Sequence, residues 1–198
     1  MVENAETAVP AVILAGGLSR RMGGGDKCLL RLGDRTLLAH VIDRIRPQVA
    51  ALALNANGDA ARFAGFGLPV LADDHADFAG PLAGILAALD WAAASGAAAV
   101  LTVPADTPFL PRDLVARLAA AGVPALARSR GRTHPVVGLW PVGLRDGLRA
   151  ALREEGLRKV EDWTARLGPA LVEYAAMPED PFFNINTPDD LAHAAALL

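Results

Sequence analysis

The sequence predicts an α/β protein: a single Rossmann-like domain with a mostly parallel sheet flanked by helices on both faces. Short apolar runs alternate with amphipathic helical stretches, the pattern of parallel strands joined by crossover helices. The runs end in glycine or polar residues, with Gly16, Asn55, Asp73 and Asp106 following successive runs, so the topology would gather them on one sheet edge. No linker or repeat divides the chain. Residues 9–198 are therefore expected to form one domain, behind a small, acidic tail, residues 1–8, expected to be disordered.

Composition agrees with that expectation. A chain of 198 residues that is 53% hydrophobic has ample material for a core, and a domain of this size buries about 70% of its unfolded surface. The net charge of -3 argues against a general nucleic-acid binder, so any anion site must be a local concentration of cations. No apolar run approaches the roughly 18 residues of a membrane span. The acidic N-terminus is unlike a signal peptide, and one cysteine cannot make an internal disulfide, so a cytoplasmic protein is expected; a monomer is expected as well.

The first strand, Val12-Ile13-Leu14, runs into Gly16-Gly17, and Arg20, Arg21, Gly23-Gly24-Gly25 and Lys27 follow. Glycines let backbone N–H groups approach a polyphosphate and the cations match its charge, so the stretch reads as a phosphate cradle; the alternative is a solvated surface loop. It is neither a P-loop nor a dinucleotide fingerprint, because Asp26 precedes Lys27, Cys28 follows it, and G-x-G-x-x-G is absent. Cys28, beside Leu29 and Leu30, reads as a small buried residue rather than a reactive thiol.

Thr36 is placed to cap a helix that ends before Pro47. Strands are expected at Val49 to Leu54 and Leu68 to Leu71, and a long helix opens at Gly80-Pro81 and runs to about Ser95. A strand over Ala97 to Val103 leads to Asp106, and Pro111 starts a helix that stops at Gly122. Strands over Ala125 to Ala127 and Pro135 to Trp140 flank a polar turn, Arg128 to Thr133. Helices over Gly143 to Glu154 and Arg158 to Leu167 and a strand near Leu171 to Tyr174 follow, and Thr187, Pro188 and Asp190 spell a capping box for the last helix.

The run Leu14 to Lys27, LAGGLSRRMGGGDK, resembles the opening signature of the molybdenum cofactor guanylyltransferases, within the wider nucleotidyltransferase group. The segments LNAN, LADD, GPLAG, VPADTPFLP and FNINTP resemble family segments in the same order, extending the likeness from Leu14 to Leu191. The resemblance implies transfer of GMP from GTP to the terminal phosphate of molybdenum-bound molybdopterin, giving the guanine dinucleotide form and pyrophosphate. It implies Mg²⁺ on Asp106, which the residues alone leave open between a metal ligand and a turn cap. Leu14, Ala15, Gly16, Gly17, Lys27, Asn55, Asp73, Gly80 and Asp106 become nucleotide contacts, and Lys27, Arg21 and Asp106 the catalytic set. Ala105 stands where many relatives carry cysteine. Asn184 and Asn186, alternating on an expected strand, are candidates for the metal or acceptor phosphate, and His134, Arg158 and Lys159 are weaker candidates for the acceptor. The likeness also implies transient contact with cofactor-synthesis proteins and molybdoenzymes. LAGG with GPLAG favours guanine over the cytidylyl relatives, leaving a cytidylyl or sugar-phosphate nucleotidyltransferase, or a GTP sensor without turnover, as alternatives.

Overall fold

The computed structural model describes residues 9–16, 26–73, 80–176 and 179–198. Its centre is a seven-stranded sheet ordered β5-β4-β1-β6-β8-β7-β9, formed by Ala11–Leu14 (β1), Leu52–Asn55 (β4), Val70–Leu71 (β5), Ala99–Pro104 (β6), Ala125–Ser129 (β7), Arg132–Pro141 (β8) and Ala170–Glu173 (β9). β1 pairs in parallel with both β4 and β6, whereas β8 runs antiparallel between β6 and β7. β9 pairs in parallel with β7, so the sheet is mostly parallel.

Alternation along the strands divides the core. Ile13, Leu54, Leu101 and Val103 face helices α1 (Leu37–Ile45) and α3 (Leu114–Ala121). Val12, Ala53, Val100 and Trp140 face α2 (Pro81–Ala94), α4 (Arg145–Arg153) and α5 (Val160–Leu167). Helices thus cover both faces, as period-two strands of a buried sheet require. A smaller cluster ties the hairpin of β2 (Arg31–Leu32) and β3 (Arg35–Thr36), absent from the sequence reading, to α6 (Pro188–Ala195) through Leu32, Leu37, Ile185 and Ala194.

Several local expectations are corrected. β4 begins at Leu52 and β5 at Val70, because ladder pairing extends only over those residues. α3 starts at Leu114 rather than Pro111: Gln48, from beyond α1, donates to the Pro111 carbonyl at 2.9 Å and accepts from the Val115 amide at 3.1 Å, capping the helix in trans. The turn expected over Arg128 to Thr133 shrinks to Arg130-Gly131, both at positive φ as a tight hairpin demands. The segment holding Asn184 and Asn186 is not a strand but an extended loop, since it makes no ladder with the sheet. The expected caps at Thr36 and Thr187 are present, the latter as a full capping box with Asp190.

Candidate functional site

A cavity of about 440 Å³ opens beyond the carboxyl ends of β1, β4 and β6. Leu14, Ala15 and Gly16 come from the end of β1, Asn55 and Asn57 from the end of β4, Asp73 from beyond β5, Ala105 and Asp106 from beyond β6. Gly80 and Pro81, at the start of α2, form another wall, and Lys27, Cys28, Pro104, Val136 and Asn184 complete it. This is the edge on which a parallel sheet offers its strand ends to a ligand.

Lys27 and Asp106 sit at its heart. The Lys27 Nζ lies 2.5 Å from Asp106 Oδ2 and donates to Asn186 Oδ1 at 2.7 Å and Asn184 Oδ1 at 3.2 Å. Three N–H bonds thereby meet three oxygens. The Ile185 amide also donates to the Asp106 carbonyl at 3.0 Å, joining the asparagine loop to the end of β6. Burial raises the Asp106 carboxyl above the ordinary aspartate range, although Lys27 pulls it back. Asp106 Oδ1 is buried with no hydrogen-bond partner among the described residues.

That oxygen bears on Mg²⁺. Among the described residues no group of three or more His, Cys, Asp or Glu could hold a metal by itself. A magnesium ion sharing one carboxylate with substrate phosphate oxygens and water needs no such group. The unpaired, buried Asp106 Oδ1 fits that mode of binding, and the neutral oxygens of Asn184 and Asn186 meet the same Lys27 ammonium as Asp106 Oδ2.

The far wall is a carboxylate fixed by two amides. Asn55 Nδ2 donates to Asp73 Oδ1 at 2.8 Å and to the Leu71 carbonyl at 3.1 Å. Asn57 Nδ2 donates to Asp73 Oδ2 at 2.7 Å, and its Oδ1 accepts from the Asp73 amide at 2.9 Å. Each Asp73 oxygen keeps acceptor capacity for a ligand donor. Arg62 braces this wall to the base of the glycine stretch, donating to the Asn57 carbonyl at 2.6 Å while its Nε lies 2.6 Å from Asp26 Oδ2.

Gly84 explains why α2 can lie so close. A Cβ there would fall 2.4 Å from Asn55 Oδ1 and 3.1 Å from Leu14 Cδ2. Gly84→Ala is expected to raise the KM for nucleotide about tenfold by displacing Asn55, with thermal stability changed by no more than ~2 kcal/mol, as better helix propensity offsets part of the overpacking. Steady-state kinetics alongside a melting curve check this, and an unchanged KM would count against the Asn55 contact.

Of the residues singled out from sequence, Leu14, Ala15, Gly16, Lys27, Cys28, Asn55, Asp73, Gly80, Asp106 and Asn184 line the cavity. Asn186 joins them through Lys27. Gly17, Arg20, Arg21 and residues 23–25 lie outside the described residues. His134 does not line the cavity but bonds Ser129, at 2.7 Å. Arg158, which donates to the Leu157 carbonyl at 2.9 Å, and Lys159, the N-cap of α5, do not line it either. Cys28 is buried, and burial pushes its thiol up to about 12, as an inert thiol requires. Asn57 was missed, although its spacing of two from Asn55 was the available signal.

Residues 11–168 match the family model described as the MobA-like NTP transferase domain. The chain belongs to the MobA-like NTP transferase family. It is 58% identical to a molybdenum cofactor guanylyltransferase of Bradyrhizobium sp. (strain ORS 278), covering 100% of this chain and 96% of that protein. It is 52% identical to the molybdenum cofactor guanylyltransferase of Acidiphilium cryptum (strain JF-5), over 99% and 98% of the two chains. Among solved structures, molybdopterin-guanine dinucleotide biosynthesis protein A from Archaeoglobus fulgidus superposes with a TM-score of 0.76 at 24% identity, covering 96% of this chain and 98% of that one. The 2-C-methyl-D-erythritol 4-phosphate cytidylyltransferase of Thermus thermophilus does so at 0.67 and 24% identity, over 96% and 98%. Both likenesses show the fold.

Proposed function

We propose that this MobA-like transferase moves GMP from GTP to the terminal phosphate of molybdenum-bound molybdopterin, with Mg²⁺ as its metal. The observation that carries this reading is the match, over the whole chain, to guanylyltransferases at up to 58% identity, with Lys27 and Asp106 meeting in the cavity.

In this reading a phosphate oxygen of the acceptor attacks the α-phosphorus of GTP, the bond from that phosphorus to the bridging oxygen of the β-phosphate breaks, and pyrophosphate leaves. The attacking oxygen is already ionised near neutral pH, so no general base is needed. The task is to hold two anions in line and offset the charge that develops between them. Lys27 supplies a mobile cation, held by Asp106, Asn184 and Asn186 until phosphate oxygens compete for its N–H bonds. Asp106 and the asparagine oxygens would hold Mg²⁺, which when bound supplies positive charge to the phosphates. Asn55 and Asp73, fixed by Asn57, present acceptors to the nucleoside's N–H and O–H groups.

Pyrophosphate release with Mg²⁺, molybdenum-loaded molybdopterin and GTP, CTP or ATP in parallel tests the reading. Release with GTP at least tenfold faster than with the others, and a product heavier by one GMP, is the expected result. CTP preference would move the chain to the cytidylyl relatives, and tight GTP binding without release would make it a sensor.

A further inference from the structure

The loop that brings Asn184 and Asn186 to Lys27 belongs to no sheet, so something else must fix it. At its C-terminal end the capping box does so, with Asp190 Oδ2 accepting from the Asn186 and Thr187 amides at 2.8 Å each. At its N-terminal end the loop's own Asp180 is tied to a group outside it. Asp180 Oδ1 accepts from the Phe182 amide at 3.0 Å and from the Ser129 hydroxyl at 2.8 Å. Ser129, at the end of β7, is fully buried. Its only proton is committed to the carboxylate, so in the 2.7 Å contact between Ser129 Oγ and His134 Nε2 the imidazole must donate. His134 then packs against Phe182 with the rings tilted by 35° and centroids 4.6 Å apart, and Phe182 meets Tyr174 edge-on at 5.2 Å.

We propose that His134, Ser129 and Asp180 form a directed hydrogen-bond chain whose role is positional: it clamps the loop 180–187 to the β7–β8 hairpin and so sets Asn184 and Asn186 against Lys27. The proposal rests on the proposed function, and on the sequence expectation that these asparagines serve the acceptor phosphate as well as the metal. None of the three clamp residues lines the cavity. They are positioning residues, acting through the asparagines, and His134 serves through Ser129 rather than by touching substrate. A neutral imidazole suffices, and burial holds His134 below its ordinary range.

Hydrogen exchange across residues 180–187, read with GMP-transfer kinetics and GTP calorimetry, tests the clamp in Ser129→Ala, Asp180→Ala and Asp180→Asn. Ser129→Ala and Asp180→Ala are expected to exchange the Phe182 to Asn186 amides about tenfold faster and to raise the acceptor KM about tenfold, with the GTP Kd within threefold of wild type. Asp180→Asn keeps an accepting Oδ1 and should stay near wild type in all three. Should Ser129→Ala fail to fold, the half-buried Asp180 pair carries the comparison alone. Unchanged exchange in a folded Asp180→Ala would overturn the proposal, as would equal losses in GTP affinity and acceptor KM, which mark general loosening. If wild type transfers no GMP, the functional reading fails by that result, while the exchange data still decide the clamp.

Discussion

Asp106→Asn is expected to cut GMP transfer at least a thousandfold, about 4 kcal/mol, without destabilising the free protein. The two halves of that expectation have one cause. Burial lifts the folded-state pKa of Asp106 above its unfolded value even with Lys27 beside it. A carboxyl raised in this way favours folding only below its unfolded pKa, and that contribution is lost as pH rises through the folded pKa. Near neutral pH the ionised carboxylate therefore costs stability, and asparagine removes the cost. The same charge, with Oδ1 unpaired, is what a magnesium-dependent transfer would use. Melting near pH 7.5 without metal should thus place Asp106→Asn at or above wild type, while single-turnover transfer collapses. A variant that melts well below wild type would make Asp106 a structural residue, and normal turnover at saturating Mg²⁺ would sink the metal assignment.

How much of this was legible in the sequence depends on how local each signal is. Val12-Ile13-Leu14 running into Gly16, Thr36 before Leu37, and Thr187-Pro188 with Asp190 each announce an element within a few residues, and each element is present. Strand β8 was legible as a strand but not as the antiparallel one between β6 and β7, because periodicity says nothing about a strand's partner. The start of α3 misled because its cap, Gln48, lies 63 residues from Pro111. In the site, strand ends drew attention to Asn55, Asp73 and Asp106 by position, and the family resemblance gave them their expected roles. Asn184 and Asn186 were placed on a strand that does not exist, yet the structure brings both to Lys27. Ser129 and Asp180, 51 residues apart, bear no mark in sequence of the bond between them.

Lys27→Ala should lower kcat/KM for GTP by about a hundredfold to a thousandfold, or ~3–4 kcal/mol, because a charge-assisted contact to the triphosphate disappears. Its effect on the free protein has the opposite sign to that of Asp106→Asn. Removing the ammonium leaves a carboxylate that is only 18% exposed with neither oxygen paired to a cation, and strands Asn184 and Asn186 without their shared donor. An unpaired, mostly buried charge is destabilising, so the melting temperature should fall, while circular dichroism still reports the wild-type fold. Combining Lys27→Ala with Asp106→Asn removes both charges, so Asp106→Asn should raise the melting temperature more in the Lys27→Ala background than it does in wild type. That non-additivity is the signature of a direct pair. Added Mg²⁺ should raise the melting temperature of Lys27→Ala more than that of wild type, since the cation would meet a carboxylate no longer held by lysine. Additive losses in the cycle, or an unchanged KM for GTP in Lys27→Ala, would show that Lys27 braces the loop without serving the nucleotide.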